Sequence, residues 1–432
     1  MPHKKNHQLV KDAIVYSIAN GINRGALLLV FPLILFFYGT EVFGRFSLIW
    51  GVSQLLGPII SLSGTTAIIR EGTVCRETGA FWTKYFYALT MFSSLVFILL
   101  GSIFIYGSQF EWVLVSLLLA FPNALILLKL SQLRILEGTS KYFFLSMQKL
   151  IILVFSVLIA GFLDSSFYVV CFCLIVGTGI LWLKVNEFPM SDILLTPFKA
   201  VEHDKSKILM YCFFVIPHSI STWVMSASDK LVIDYYMDDL NLGIYSISYT
   251  LGMILIVINS GLAIALPKYF YKDITTFSAI KMRNKLVFIY TLLALLVSFI
   301  VASLISLDRQ YIGFLDESVI VFSVFIWISI GIYLLGLTQL YSLYLFYHRK
   351  TKHIAVVSFS CALLNVILNF LMIPDYGILG AAIATVISYG IYFLLTYVLA
   401  LIIEIKLKEK AIIHSLFVIL SVSLFCLTLL SL

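Results

Sequence analysis

Four charged side chains lie inside long apolar segments of the sequence. Arg24, Lys129, Asp229 and Lys230 are each flanked by apolar residues on both sides. Guanidinium and ammonium groups bind phosphate and carboxylate oxygens, whereas a carboxylate holds a proton or a cation. A charge within hydrocarbon is costly, so such residues line a wet cavity, form ion pairs or reach the membrane surface.

The depth of each charge decides between these roles. Arg24 stands thirteen residues after Lys11, too deep to reach either surface easily, which favours a cavity role over a structural pair. Asp229 and Lys230 lie about four residues from the end of their segment, so a structural salt bridge or snorkelling explains them as well as transport does. Lys129 lies closer to the cytoplasmic end of its segment, which favours snorkelling.

Polar residues at helical spacing accompany these charges. In a helix of 100° per residue, Asn20, Asn23 and Arg24 share one face, and Gln54 shares a face with Ser47 of the next segment. A similar stripe of polar residues precedes Asp229 in its segment, and another contains Asn365 and Asn369. These stripes predict four cavity-lining helices. For Asn365 and Asn369 the alternative, that they join helices by hydrogen bonds, is favoured.

Composition determines which class of protein must position these residues. Hydrophobic residues make up 61% of the 432 residues and charged residues 12%, and the mean hydropathy is +1.04. A soluble chain of this length would have too few polar residues to cover its surface. Apolar runs longer than twenty residues, without strict alternation, predict spanning helices and exclude a β-barrel. Bases are spread over many loops and form no patch for nucleic acid.

The hydropathy pattern predicts thirteen membrane spans. They are expected near residues 13–37, 44–69, 83–106, 112–134, 145–163, 166–185, 209–233, 241–266, 286–307, 319–346, 354–374, 378–403 and 411–431. Pro374 and Gly377 predict a very short turn between spans eleven and twelve.

The distribution of basic residues predicts the orientation of these spans. When loops are numbered alternately, one side, including the N-terminus, carries 24 Lys and Arg, and the other carries only Arg45 and Arg309. Positively charged loops stay in the cytoplasm, so the N-terminus is expected to be cytoplasmic. The first apolar run is about twenty-five residues long and predicts a spanning helix, not a cleaved signal peptide.

A repeat divides the spans into two sets of six. Gly44, Phe46 and Ser47 recur 199 residues later as Gly243, Tyr245 and Ser246, each set at the start of an even-numbered span. Because six is an even number, both sets insert in the same orientation. We therefore expect an all-α membrane protein with two parallel six-helix bundles around a central cavity and an additional C-terminal helix. The predicted divisions are 1–185 and 209–404 for the lobes, 186–208 for a cytoplasmic linker and 405–432 for the additional helix.

No metal or cofactor site is predicted. The six cysteines and the histidines show no spacing suited to a metal, and no glycine loop has the residues that bind nucleotide phosphates. No histidine has a nearby acid arranged for catalysis.

Three segments resemble one transporter family. The polysaccharide-export flippases have similar segments in span eleven, in spans seven and eight and in the first hairpin, which match Leu364–Phe393, Ser228–Gly252 and Phe31–Gly72. These flippases are the Wzx-like branch of the multidrug, oligosaccharidyl-lipid and polysaccharide exporter superfamily. The resemblance covers most of the chain and implies a two-lobed twelve-helix fold with a cationic cavity.

The resemblance also implies a substrate and roles for residues. The expected substrate is an undecaprenyl-diphosphate-linked oligosaccharide, moved to the outer leaflet of a bacterial inner membrane for O-antigen or capsule assembly. Arg24 would meet the diphosphate or an acidic sugar, and Asp229 would couple transport to H⁺ or Na⁺ or act as a gate. Substrate contacts would come from Asn20, Asn23, Gln54, Lys129, Lys230, Asn365 and Asn369. Association with polysaccharide polymerase machinery is expected too.

Other functions remain open from the residues. The chain departs from members with a strongly basic cavity, because only three bases lie within the predicted spans, which favours a neutral or weakly acidic glycan. A cation-coupled drug antiporter would need acids deep in the first lobe, and Asp12, Glu41 and Asp164 all lie at span ends. A peptidoglycan precursor flippase usually has two further spans. A membrane polymerase or ligase would need a large outer loop with catalytic bases.

Overall fold

The computed structural model describes a chain built from long helices. It describes residues 2–74, 76–105, 111–136, 138–163, 166–198, 205–270, 277–315, 317–348 and 350–403, with a few positions between 422 and 429. Ten helices in this part of the chain are long and apolar enough to cross a membrane. The predicted all-α membrane fold is confirmed, and the chain is a multi-pass membrane protein.

Twelve α-helices account for the described fold. Their bounds are α1 Pro2–Ile60, α2 Gly64–Val74, α3 Arg76–Ile105, α4 Glu111–Leu136, α5 Thr139–Phe162, α6 Phe167–Val185, α7 Met190–Leu195, α8 Lys205–Tyr236, α9 Asp239–Phe270, α10 Phe277–Leu307, α11 Ser318–Tyr347 and α12 Thr351–Ile403.

Two of these helices are pairs of spans joined at a glycine. As straight helices, the 59 residues of α1 and the 53 of α12 would extend about 90 and 80 Å at ~1.5 Å per residue, far beyond a hydrocarbon layer of about 30 Å. The helical geometry breaks at Gly39, with φ 78° and ψ −178°, and at Gly377, with φ 59° and ψ −144°. Residues with a side chain rarely adopt these angles. Spans one and two, and spans eleven and twelve, therefore meet at a single residue, and the short turn predicted at Gly377 is confirmed.

The prediction of an unbroken second span is wrong. Helix α1 ends at Ile60, and α2 starts at Gly64 after a turn in which Leu62 and Ser63 have φ of 47° and 52°. Gly64 packs so tightly that an added Cβ would lie 2.5 Å from the Phe86 ring. The turn after Pro58 and the contact of Gly64 with α3 together interrupt the span.

Contacts divide the chain into two compact units. Unit 1 contains residues 1–26 and 32–220, and unit 2 contains residues 27–31 and 221–432. In unit 1, α4 packs against α2, α3 and α6, and its middle is fully buried. In unit 2, α11 packs against α9 and α12 and is buried along most of its length. The predicted lobe limits stay a prediction.

Helices α1 and α5 run side by side in the same direction within unit 1. The amide of Asn23 donates a hydrogen bond to Ser146 Oγ at 2.9 Å, and farther along both helices the ring of Phe37 packs on Gly161 and Phe162. The contacts advance by fourteen residues in α1 and fifteen in α5. Parallel packing is what a first and a fifth span of alternating direction require.

The segment predicted as a polar linker has structure of its own. Helix α7 and the 3₁₀ turn Thr196–Phe198 pack against α3. Lys84 of α3 lies 3.8 Å from Asp192 and stands over the Phe188 ring at 5.3 Å. The first part of this linker is therefore fixed to unit 1. The predicted thirteenth span, 411–431, lies outside the described residues apart from a few positions.

Candidate functional site

A compensated pair of charges is buried in unit 2. Asp229 and Lys230 of α8 are 1% and 6% exposed. The Tyr245 hydroxyl of α9 donates a hydrogen bond to Asp229 Oδ2, and the backbone N–H of Lys230 donates to Asp229 Oδ1 at 2.8 Å. Both carboxylate oxygens are thus held, and a buried carboxylate held in this way is fixed in orientation.

The Lys230 ammonium has an aromatic neighbour on the next helix. Its Nζ stands 5.3 Å from the centroid of the Tyr249 ring, a distance at which a cation is attracted to the ring face. Lys230 is buried, so it does not snorkel to a surface as one of the sequence alternatives required. The pair instead forms one polar cluster with two tyrosines of α9.

Two asparagines of α12 extend this cluster. Ser228 Oγ donates to Asn365 Oδ1 at 3.2 Å, and Asn369 Nδ2 donates to the same oxygen at 3.2 Å. Both asparagines are fully buried. Among the described residues, Asn365 Nδ2 and Asn369 Oδ1 have no hydrogen-bond partner. The asparagines therefore join α8 to α12 through Ser228, as the favoured alternative holds, and also leave one donor and one acceptor open in the part of the chain that the structure describes.

Lys129 is buried in unit 1 and takes its counter-ion from the linker. Its side chain is 2% exposed, and its Nζ lies 3.2 Å from Oε1 of Glu187, which is 53% exposed. Glu187 follows the end of α6, and the nearby Tyr87 and Trp182 rings pack edge to face at 5.4 Å. Lys129 does not itself reach the surface, so the favoured snorkelling interpretation is replaced by an ion pair with a half-exposed acid.

The predicted first-span site is described only in part. Asn23 is half-buried and bonds Ser146, as given above, while Gln54 is half-buried in the second half of α1. The side chains of Asn20 and Arg24 lie outside the described residues. The roles assigned to Asn20, Arg24 and Gln54 stay predictions.

Lys149 is a buried base that the sequence count assigned to a cytoplasmic loop. It lies ten residues inside α5 and is 9% exposed. The predicted span 145–163 includes Lys149 near its start, but the count of bases placed Lys149 together with Lys141 in the loop before that span. The spacing of Lys149 from Ser146 and Ser156, which places all three on one helix face, is the pattern that could have identified it.

No cluster of three or more His, Cys, Asp or Glu side chains suited to a metal ion occurs among the residues the structure describes. In the described part of the chain, His, Cys, Asp and Glu side chains therefore do not come together in a group that could bind a metal ion. The buried charges described are Lys129 and Lys149 in unit 1 and Asp229, Lys230 and Asp308 in unit 2.

Comparison with solved structures identifies the fold. No protein-family profile and no curated protein sequence matches the chain. The lipid II flippase MurJ in an inward closed conformation is similar with a TM-score of 0.60 and 17% identity, over 95% of this chain and 98% of MurJ. This chain therefore shares its fold with that flippase.

Drug transporters share that fold equally well. An inward-facing multidrug resistance MATE family transporter of the MOP superfamily gives a TM-score of 0.58 and 15% identity, over 92% of this chain and 96% of the other. A MATE protein in the bent conformation gives 0.60 and 16%, over 93% and 96%. The similarity therefore supports a transporter fold and does not choose between substrates.

Proposed function

We propose that this protein is a flippase for an undecaprenyl-diphosphate-linked oligosaccharide. It would move the glycan repeat unit from the cytoplasmic to the outer leaflet by alternating access, for O-antigen or capsule assembly. The observation that carries the proposal is the charge of unit 1. Among its described residues, the buried charged side chains are Lys129 and Lys149, and no acid is buried. A diphosphate leaving water needs such positive charge.

The fold and the loops support the same assignment. A lipid II flippase has this fold over almost the whole chain, although that similarity alone does not give a substrate. On the predicted outer side, spans meet at Gly39, at Gly377 or in short connections, the longest being residues 308–317. A polymerase or ligase would need a larger outer loop for its catalytic groups, so an enzyme is the poorer proposal.

The predicted residues take two roles in this proposal. Substrate contacts come from Arg24, Asn20, Asn23, Gln54, Lys129, Lys230, Asn365 and Asn369. Asp229 acts as the coupling or gating acid, because it is buried and its carboxylate accepts a hydrogen bond from the Tyr245 hydroxyl. Uptake of H⁺ or Na⁺ would change the charge of that cluster. Association with polysaccharide polymerase machinery and a place in a bacterial inner membrane, with the N-terminus in the cytoplasm, belong to the same proposal.

A cation-coupled drug antiporter is the second candidate. Its support is the buried carboxylate of Asp229, a group that antiporters of organic cations need. The carboxylate has Lys230 as its immediate neighbour, however, and the buried charges described in unit 1 repel a cation. An anionic substrate fits the described charges of unit 1 better.

Deletion and replacement test the proposed function. A strain without the protein should accumulate one undecaprenyl-linked glycan on its cytoplasmic leaflet, and Arg24→Ala should block export while the protein stays in the membrane. Arg309→Ala is the matched control, because Arg309 is exposed on the predicted outer side. Normal surface polysaccharide in the Arg24→Ala strain, or accumulation of a dye in place of a glycan after deletion, would overturn the assignment in favour of the drug antiporter.

A further inference from the structure

Helix α5 has two faces of opposite character. Large apolar side chains form an exposed stripe that consists of Phe144, Ile151, Phe155, Ile159 and Phe162. The opposite face is buried and carries Ser146, Lys149 and Ser156. In a membrane the apolar stripe suits the acyl chains, so Lys149 points away from lipid and into unit 1.

Lys149 has no counter-ion among the described residues. No hydrogen bond or ion pair joins its ammonium to any of them, although its side chain is more than nine-tenths buried. Lys129 is also buried but is paired with Glu187 at 3.2 Å. A buried ammonium without a partner is strongly disfavoured, so a site that keeps one is suited to an anion that arrives with a ligand.

The neighbouring polar groups lie one helical turn away. Ser146 precedes Lys149 by three residues on the same face of α5 and accepts the hydrogen bond of Asn23. Asn23 Oδ1 is buried and has no partner among the described residues. Asn23 and Ser146 thus join α1 to α5 one helical turn from Lys149, so this base lies close to the contact between the two helices.

The register of α1 and α5 places a second base at the same depth. Asn23 is level with Ser146, so position 24 of α1 and Lys149 of α5 differ in depth by two residues, roughly 3 Å. Arg24 is the residue that the first span offers to a diphosphate. In the proposed function Arg24 meets the diphosphate, and a second base in α5 supplies charge for the second phosphate.

We propose that Lys149, with Asn23 and Ser146, forms an oxyanion subsite in unit 1 that binds the diphosphate of the lipid carrier. The subsite rests on the proposed flippase function and adds a residue to it. Lys149 contributes a point charge with three donors, and Asn23 and Ser146 hold the wall of α1 against α5 beside it.

The test measures binding of farnesyl diphosphate, farnesyl monophosphate and farnesol to the purified full-length protein by titration calorimetry. Wild-type protein should bind the diphosphate most tightly and farnesol least. Lys149→Met should weaken diphosphate binding about tenfold, the effect of one lost charge-assisted hydrogen bond, and should leave farnesol binding unchanged. Lys149→Arg should retain binding within about threefold, because the charge remains.

Two further variants separate binding from folding. Asn23→Asp supplies a carboxylate beside Lys149, so it should weaken diphosphate binding while the thermal unfolding midpoint stays level or rises. Lys141→Met removes an exposed charge at the start of the same helix and should change neither quantity.

The outcomes distinguish this subsite from the function on which it rests. Equal diphosphate affinity of wild type and Lys149→Met would overturn the subsite. If a lipid-linked glycan still accumulates after deletion, the flippase assignment stands without the subsite. An affinity for farnesol as high as that for the farnesyl phosphates would also overturn the subsite. No binding of any isoprenyl phosphate by wild type, together with no accumulated glycan after deletion, overturns both.

Discussion

Unit 2 buries an acid next to a base, whereas the buried charges described in unit 1 are bases alone. Asp229 and Lys230 are adjacent and share the tyrosines of α9, while Lys129 depends on Glu187 outside the helices and Lys149 has no described counter-ion. Because Asp229 and Lys230 compensate each other, their charges can stay buried without a ligand. A base without an acid beside it remains available for an anionic ligand.

The repeat makes the same difference visible position by position. The 199-residue offset that relates Phe46 to Tyr245 also relates Val30 to Asp229. Phe46 and Tyr245 are both fully buried, yet only Tyr245 carries a hydroxyl that can bond a carboxylate. The halves thus share packing at this position, and the charged cluster belongs to the second half alone. The buried carboxylate proposed for coupling thus lies in unit 2, whereas the buried base without a described counter-ion lies in unit 1.

Removal of the acid in unit 2 should have the largest effect. Asp229→Ala leaves Lys230 buried without its carboxylate, so we expect a loss of about 3–5 kcal/mol in stability, measured as a lower thermal unfolding midpoint in detergent. Asp229→Ala with Lys230→Met should recover much of that loss, because no buried charge is left alone. Losses that simply add in the double variant would show that the two residues do not compensate each other.

The hydrogen-bonded asparagine of unit 2 should come next. Asn365→Leu removes the oxygen that accepts from both Ser228 and Asn369, and two buried donors without an acceptor cost about 2 kcal/mol. The counterpart in unit 1 is Ser146→Ala, which removes one bond from the half-buried Asn23 and should cost less, about 1 kcal/mol. Unfolding midpoints in the reverse order would break the comparison.

The spans and hairpins follow from local sequence, and the counter-ions do not. Apolar runs predicted the helices to within a few residues at most ends, and Gly377 marked its turn, because these depend on transfer into lipid and on backbone angles. Asp229 was identified as a charge in a span, but its partner Tyr245 belongs to another helix. Glu187 was part of a linker with no predicted contact to Lys129.

Two errors came from the edges of helices. Lys149 was counted with a loop because the sequence near the end of a span does not show whether the helix begins before or after a base. The turn at Leu62 and Ser63 was missed because it lies inside an apolar run. Hydropathy does not report tight packing such as that of Gly64 on Phe86.

The matched glycine kinks offer a smaller test of the two halves. Gly377→Ala adds a Cβ at φ 59°, 3.3 Å from Cε of Met237, whereas Gly39→Ala meets no atom within 4 Å. A positive φ with ψ near 180° costs a residue with a side chain about 1–3 kcal/mol, so both variants should unfold at lower temperature, Gly377→Ala more so. Equal midpoints would show that the crowding by Met237 is without effect.

The ion pair of Lys129 should give the smallest effect. Glu187 is half-exposed, so its pairing is screened, and Glu187→Ala should cost no more than about 1 kcal/mol. The loss should shrink further as salt rises. A loss as large as that of Asp229→Ala, unchanged by salt, would mean that unit 1 is compensated as tightly as unit 2.

Reconstitution into sealed liposomes tests the central claim most directly. A fluorescent undecaprenyl-diphosphate-linked oligosaccharide is placed in both leaflets, and a reagent that cannot cross the membrane quenches the outer pool. The account predicts that the protein transfers the protected lipid to the outer leaflet, so that quenching proceeds to completion, and that Arg24→Ala stops at half. Quenching at half with wild-type protein, in vesicles where the same protein transports a cationic dye, would contradict it.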